Sequence, residues 1–237
     1  MRFEPPLQPA TLVRRYKRFL ADIRFADGQE ATAHVPNSGA MLGVSTPGSA
    51  VWVQPAGPGR KLPYSLKFVQ TPTSWAGVDT MLPNQMVGEA LRARRLSMFS
   101  AYPSVRAEAP YGARSRVDFL LTGPGLPDCY VEVKNCHMMR KPGLAEFPDC
   151  IAARSARHMD ELARMVAAGG RAAVIVTVQR TDCTQFAPAA DIDPAFAAAW
   201  ARARLAGVEV YAFACAMSQA EARLDQPIAI APLAAAA

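Results

Sequence analysis

Three charged side chains interrupt two strand-like runs between residues 115 and 135, SRVDFLLTGPGLPDCYVEVKN. Asp118 stands inside the apolar run VDFLL, and Glu132 and Lys134 stand inside YVEVK. Successive side chains of a strand point to opposite faces. That alternation puts Val117, Phe119 and Leu121 on one face and Arg116, Asp118 and Leu120 on the other. In the second run Tyr130, Glu132 and Lys134 share a face, opposed by Val131 and Val133. The joining stretch TGPGLPD is dense in Gly, Pro and Asp and reads as a turn, so the simplest arrangement is an antiparallel hairpin. If its register allows, the three charges converge on one side. Two readings fit. One is an ordinary cross-strand ion pair on a solvated face. The other is a metal site, in which two carboxylates offer hard oxygen ligands to Mg²⁺ or Mn²⁺. A lysine beside them can orient a water and neutralise charge developing on a phosphate.

Holding three such groups in place takes a folded scaffold, and the composition supplies one. The chain has 237 residues, 51% of them hydrophobic, enough for one large domain or two small ones and inconsistent with disorder. A formal net charge of +6 favours a polyanionic partner without establishing one. The five cysteines, Cys129, Cys136, Cys150, Cys183 and Cys215, are odd in number and form no C-x-x-C pair. This argues against a disulfide framework or a zinc knuckle and fits a reducing cytoplasm. The start, MRFEPPLQPA, lacks the apolar core of a signal peptide, and no run approaches the ~20 apolar residues of a membrane span. No membrane association and no internal repeat are expected, and the closing LAAAA reads as a frayed tail.

The chain divides into two styles. Up to about residue 82 it reads as short strands with frequent turns. TLVRRYKRFLADIRF is a long strand candidate, followed by the hairpin turn signal Asp27-Gly28. EATAHV, AVWVQ and KLPYSLKFVQT follow, separated by PNSGAMLG and PAGPGR. Strands at this spacing suggest a small barrel, with the oligonucleotide-binding (OB) type as one candidate. From Asn84 the style changes. NQMVGEALRARRLSMF fits a helix with Asn84 as N-cap. CIAARSARHMDELARMVAAGG is a second helix, stopped by Gly169 and Gly170. AAVIVTVQ reads as a buried strand, DPAFAAAWARARLAG as a helix and VEVYAFAC as a strand. Strands alternating with helices point to a layered α/β domain.

These residues carry a resemblance. The chain is similar to the sugar fermentation stimulation protein A family nearly end to end. The likeness runs through PPLQPATLVRRYKRFLADI, HVPNSGAMLG, NQMVGEAL, YGARSRVDFLL, YVEVKN, FPDCIAARSARH and FAPAADIDPAFA. It implies a mixed α/β fold: an OB-like β-barrel over residues 1–82, then a PD-(D/E)XK nuclease-like α/β domain over 83–237. It also implies DNA as partner, with RNA as the alternative, and a link to regulation of sugar use, notably maltose. In the nuclease-like superfamily a strand Asp and an E-x-K strand form the catalytic core, and the matching residues are Asp118, Glu132 and Lys134. The helix before the hairpin often adds a carboxylate, for which Glu89 is the matching position. By the same resemblance Asp118, Glu132 and the carbonyl of Val133 would bind Mg²⁺ or Mn²⁺. Glu89 would complete the shell through water or help hold a second ion, and Lys134 would position the attacking water. No organic cofactor is implied. The implied activity is cytoplasmic, metal-dependent phosphodiester hydrolysis. The alternative is a non-catalytic DNA-binding regulator, and fold alone does not separate the two. The presence of Asp118, Glu132 and Lys134 together leans towards a working metal site. The number of copies is left open, a homodimer being one option.

The sequence departs from the family pattern where Val35 replaces a usual Cys and Ser38 a usual Thr. The helix motif R-G-x-K-H reads here Arg154, Ser155, Ala156, Arg157, His158, which suits phosphate binding better than proton transfer. Arg14, Arg15, Lys17 and Arg18 surround Tyr16, a pattern that can track a phosphate backbone and stack a base. It equally fits a solvated edge protected by charge. Arg154, Arg157 and His158 join these as nucleic-acid contacts, although a lone His is more often packing or surface. PNSGAMLG is either a ligand loop presenting amides and Ser38, or a turn needing Gly39 and Gly43. Asp149 reads as the N-cap of the second helix, and Cys136-His137, lacking metal spacing, reads as incidental.

Overall fold

Alternating buried and exposed residues build six short strands at the start of the chain. They are β1 (Gln8–Tyr16), β2 (Leu20–Arg24), β3 (Glu30–His34), β4 (Ala50–Pro55), β5 (Tyr64–Gln70) and β6 (Trp75–Gly77). In this computed structural model, which describes residues 1–112 and 115–232, they lie in the order β3-β2-β1-β4-β5-β6. The tail read as frayed, 233–237, lies outside the described residues. A parallel pairing of β3 with β5, Ala33 opposite Tyr64, closes β1–β5 into a barrel. Its inward residues, among them Leu12, Ile23, Val51, Val53 and Leu66, form one apolar core. The stretch expected as one long strand is two. The chain reverses at Lys17 and Arg18, whose φ angles of 48° and 62° are left-handed. The loop is three residues, Lys17–Phe19, since Tyr16 pairs with Leu20. Left-handed φ is usually supplied by Gly, Asn or Asp, so two basic residues there conceal the turn in the sequence. The Asp27-Gly28 turn forms as expected, with Gly28 at φ 87° and Asp27 Oδ1 accepting the Gln29 amide.

The second part is a three-layer α/β arrangement. Its elements are α1 (Leu82–Arg92), β7 (Ser104–Tyr111), β8 (Ser115–Thr122), β9 (Cys129–Cys136), β10 (Met138–Lys141) and β11 (Gly143–Phe147). There follow α2 (Ala153–Ala167), β12 (Arg171–Val178), β13 (Cys183–Pro188), α3 (Pro194–Leu205), β14 (Glu209–Met217), β15 (Ala222–Pro227) and β16 (Ala229–Ile230). The main sheet runs β15-β14-β12-β9-β8-β7, with β9, β12 and β14 parallel. Helix α1 covers one face through Val87, Ala90 and Leu91. Helices α2 and α3 cover the other through Met159, Leu162, Phe196 and Trp200. Strand β12, apolar but for Arg171 and Thr177, is buried on both faces from Ala172 to Val178, as its run of branched residues requires. A smaller sheet, β10-β11-β13-β16, stands beside it. No helix of the described residues is long and apolar enough to cross a membrane.

Two helix starts differ from expectation. Helix α1 begins at Leu82, with Pro83 in its first turn and the Met81 amide taken by Asp79 Oδ1 at 2.8 Å. Proline's fixed φ favours the first turn, so the helix starts three residues early, with Met81 and not Asn84 at the cap position. Helix α2 begins at Ala153, and Asp149 does not cap it. Asp193 instead caps α3 through the Phe196 amide and also accepts the Ala152 amide, tying both helix starts together.

Barrel and sheet meet along a close-packed seam. The Gly77 amide donates to Gln179 O at 2.9 Å. The fully buried Gln179 side chain donates to Asn135 Oδ1 at 2.7 Å. Phe3, Leu7, Phe68, Leu82, Met86 and Ala222 form an apolar cluster across the seam. A Cβ on Gly77 would lie 2.3 Å from Gln179 Oε1 and 2.8 Å from Gln179 Cβ. Gly77→Ala is therefore expected to cost about 1–3 kcal/mol, read as a lower melting temperature.

Candidate functional site

Strands β8 and β9 pair at Leu121–Cys129, Leu120–Tyr130 and Phe119–Val131, and there the ladder ends. Beyond it the Val133 amide donates to Asp118 Oδ2 at 2.7 Å, a side chain replacing the missing main-chain acceptor. The alternation of β8 breaks at the same point. Val117 and Leu120 bury on the α2–α3 side, while Phe119 and Leu121 bury against α1. Val117 thus does not share a face with Phe119 and Leu121, contrary to simple alternation. The hairpin splays open at Asp118, and that gap holds the site.

Glu132 and Lys134 lie two residues apart on one face, with Nζ donating to Glu132 Oε1 at 2.8 Å. Both side chains are buried. The same Oε1 is bonded to His158 Nδ1 of α2 at 2.5 Å. On the far side of the ring, His158 Nε2 takes the Arg154 Nε proton at 3.3 Å. An arginine can only donate, so Nε2 is an acceptor and the proton sits on Nδ1. Arg154 thereby fixes the tautomer that holds Glu132. Glu132 Oε2 is buried and has no hydrogen-bond partner among the described residues. Burial pushes the Glu132 carboxyl up, but Lys134 and His158 outweigh it and hold the group below the usual range. Asp118 goes the other way. Burial, then the neighbouring Glu132 charge, raise it to about 6, against the Val133 amide and Asn84.

These groups open into a cleft of about 330 Å³. Asp118, Glu132, Val133, Lys134, Arg154 and His158 all line it, so the structure brings together the expected catalytic and metal-binding residues but for Glu89, with two of the three basic candidates of α2. Glu89 lies elsewhere. Its carboxylate pairs with the N-terminal ammonium at 2.7 Å and Arg95 at 2.9 Å, and it does not line the cleft. Asn84 stands there instead, donating to Asp118 Oδ1 at 2.7 Å. Five residues along a helix is a rotation of roughly 140°, so Asn84 and Glu89 cannot both face the sheet at this point.

The barrel supplies the other wall. Asn37, Ser38 and Gly39, of the stretch PNSGAMLG, line the cleft opposite His137 and Asp149. Asp149 Oδ2 accepts the Met41 amide at 2.7 Å and lies 3.4 Å from His137 Nε2. Burial raises the Asp149 carboxyl, but His137 and the Met41 amide prevail and keep it low. A Cβ on Gly39 would lie 2.9 Å from Asp149 Oδ1, so this glycine permits the close approach of loop and carboxylate. Sequence reasoning missed Asn84 and His137. An amide placed just after Pro83, where it adds little to a helix, and a histidine directly beyond the E-x-K strand were the available signals.

The basic run of the barrel divides by role. Arg14 and the Tyr16 hydroxyl are both spent on Asp22, at 2.8 and 3.0 Å. Arg15 donates to the carbonyls of Asn37, Gly39 and Ala40 and so clamps the loop. Lys17 and Arg18 project from the exposed turn. Arg157 is exposed and outside the cleft lining. A larger cleft of about 480 Å³ lies between the end of α1 and the β14–β15 edge. It is lined largely by apolar groups such as Leu96, Met98, Phe213 and Leu224 and holds no carboxylate pair, so the smaller cleft is the candidate site.

Comparison with known proteins adds the following. The family described as sugar fermentation stimulation protein RE domain matches residues 81–221, and that described as SfsA N-terminal OB domain matches residues 13–78. The chain is 54% identical over 235 residues to a sugar fermentation stimulation protein homolog of Methylobacterium nodulans, covering 97% of this chain and 99% of the relative. It is 50% identical over 229 residues to the homolog of Rhodospirillum centenum, covering 96% and 98%. A solved structure of SfsA from Pyrococcus furiosus, in complex with Ca²⁺, superposes with a TM-score of 0.87 at 25% identity, covering 96% of each chain.

Proposed function

This chain belongs to the sugar fermentation stimulation protein family, and on that premise we propose that it binds DNA and hydrolyses phosphodiester bonds with a divalent ion. The observation that carries the reading is the buried, unpartnered Glu132 Oε2 beside Asp118, a carboxyl that burial and Glu132 push up to about 6. A buried carboxylate with a spare oxygen beside a half-buried one is a donor set for a hard cation. The Ca²⁺ of the Pyrococcus furiosus protein is consistent with that chemistry. Among the described residues no three His, Cys, Asp or Glu side chains converge as ligands. The set we assign is Asp118, Glu132 and the Val133 carbonyl, with Mg²⁺ or Mn²⁺ as the ion, and without Glu89, which pairs with the N-terminal ammonium and Arg95. When bound, such an ion acidifies a water and neutralises charge on the phosphate.

The remaining roles belong to this chain's own side chains. Asn84 and the Val133 amide orient Asp118. His158, set by Arg154, holds Glu132. Lys134 brings a positive charge to the place where the attacked phosphate gathers negative charge. Arg154, with Nε committed to His158, keeps its outer nitrogens for a phosphate oxygen. Lys17 and Arg18 add backbone contacts. A cytoplasmic location suits the five free thiols, and a link to sugar use is carried by the relatives' names. The second reading, a non-catalytic DNA-binding regulator, is favoured by the small number of converging ligands.

The test is incubation of the purified protein with DNA or RNA and Mg²⁺ or Mn²⁺, beside Asp118→Ala. Cleavage by the wild type only, and a Mn²⁺-induced rise in melting temperature by the wild type only, are expected. DNA binding without either would favour the regulator. Glu89→Gln is expected to leave the Mn²⁺ shift unchanged, whereas Asn84→Ala, which frees Asp118 Oδ1, should weaken Mn²⁺ binding severalfold. Equal behaviour of these two variants would overturn the assignment of Asn84.

A further inference from the structure

Six large hydrophobic residues are exposed among the described residues. Three of them, Leu42, Met81 and Ile151, stand next in sequence to residues that line the cleft or are bonded to its wall, and a fourth, Phe19, stands in the β1–β2 turn. Met81 follows Thr80, and Ile151 stands between Cys150 and Ala152, all of which line the cleft. Leu42 follows Met41, whose amide is held by Asp149 of the cleft wall. Phe19, 46% exposed, ends the β1–β2 turn and stacks on the exposed ring of His34, at 6.5 Å between centroids and 18° between planes. Its neighbours Lys17 and Arg18 are fully projecting cations in a turn whose left-handed φ angles disfavour long side chains. The turn is tied to the cleft wall, since Arg15 joins Arg18 O to the carbonyls of Asn37 and Gly39. Arg18 also lies within electrostatic reach of the Cys150 thiol at the cleft.

We infer that the ligand class of this cleft is a single-stranded nucleic acid, or the unpaired end of a duplex, whose bases rest on Phe19 and the apolar rim while its phosphates meet Lys17, Arg18 and Arg154. The inference rests on the nucleic-acid reading above and names the substrate class for the same site. Aromatic and apolar groups recognise the faces of bases, and a duplex hides those faces inside its stack. A duplex would need a broad basic surface. This cleft is instead narrow, about 330 Å³, and walled by residues 37–39 of the barrel on one side and by α2 on the other. Exposed cations and an exposed aromatic ring occur together at the β1–β2 turn, which is the pattern of sequence-tolerant single-strand binding.

The test uses the full-length protein in EDTA, so that cleavage plays no part. Fluorescence anisotropy is measured with labelled oligo-dT, oligo-rU and a duplex of equal length over a range of salt. Single strands are expected to bind at least tenfold more tightly than the duplex. A preference for dT or for rU identifies the sugar and supports the inference equally. Phe19→Ala should weaken single-strand binding about tenfold with the salt slope unchanged, and Phe19→Trp should restore it. Lys17→Ala with Arg18→Ala should instead flatten the slope, by roughly 0.7 for each phosphate no longer neutralised. Because Phe19 is exposed, the variants should melt as the wild type does, which separates a missing base platform from a damaged fold. Equal affinity for duplex and single strand, or wild-type binding by Phe19→Ala, would overturn the inference. Absence of cleavage in Mn²⁺ alongside an intact single-strand preference would defeat the hydrolytic reading alone.

Discussion

Lys134→Met is expected to lower cleavage by about a hundred- to a thousandfold, the usual consequence of removing one preorganised positive group from a charge-developing site. It is also expected to enlarge the Mn²⁺-induced rise in melting temperature. The second effect follows from the counting of charge. Without an ion, Lys134 is the cation that allows buried Glu132 and half-buried Asp118 to stay side by side, and it bonds Glu132 Oε1 directly. Removing one partner of a buried pair costs about 3–5 kcal/mol when nothing replaces it. The cost here should fall towards the low end, because His158 still holds the same oxygen. A divalent ion then restores more than it does in the wild type. Single-turnover cleavage and melting curves with and without Mn²⁺ read the two effects separately. A smaller Mn²⁺ shift in the variant than in the wild type would mean that Lys134 helps hold the ion, against the role given to it.

The three charged residues were legible because strand periodicity is a strong signal and charges in an apolar run violate it. Their local geometry was not. Val117 changes face at Asp118, where the β8–β9 ladder stops. Pattern alone assumes an unbroken alternation and cannot register such a splay. Motif position points to Glu89, yet the phase of α1 is set by Pro83 and by Asp79 at its start, which turn Asn84 towards the sheet. The barrel was readable as strands and turns, but the turn at Lys17-Arg18 was not, because left-handed φ is normally advertised by Gly, Asn or Asp. Arg15 illustrates the limit for charge runs. Four basic residues in five positions look alike in sequence, and only the folded geometry reveals that Arg15 is a clamp on the loop at 37–40 while its neighbours Lys17 and Arg18 are exposed. Contacts between distant segments, such as Asp149 with Met41, leave no local trace in either segment.

In EDTA, Asp118→Asn is expected to gain stability over the wild type as pH rises, from no relative gain near pH 4 to about 3 kcal/mol at pH 7. The Asp118 carboxyl is raised to about 6 by burial and then by Glu132. In the unfolded chain it titrates near the ordinary carboxylate value of about 3.9. Between these two values the folded protein binds the proton and the unfolded chain does not, so stability is lost as pH climbs through the window. Below about pH 4 both states are protonated, and the loss is absent. Above about pH 6 both are ionised, and the loss is complete, at about 1.4 kcal/mol for every pH unit that separates the two values. Asparagine cannot ionise, so it escapes the loss. Its amide still offers Oδ1 to the Val133 N–H, and its NH₂ can meet Asn84 once that amide turns over. Glu132, held below its usual range by Lys134 and His158, is present in both proteins, so its contribution cancels in their difference. Comparing the two proteins at each pH by denaturant unfolding therefore isolates Asp118. Adding Mn²⁺ at pH 7 should close the gap, because the ion relieves the repulsion that the substitution removes, and it should do so less effectively below about pH 6, where it competes with the proton. A difference between the two proteins that stays flat from about pH 4 to about pH 7 would mean that Asp118 is not strained by its neighbour, and with that the chief argument for a cation between the two carboxylates would fail.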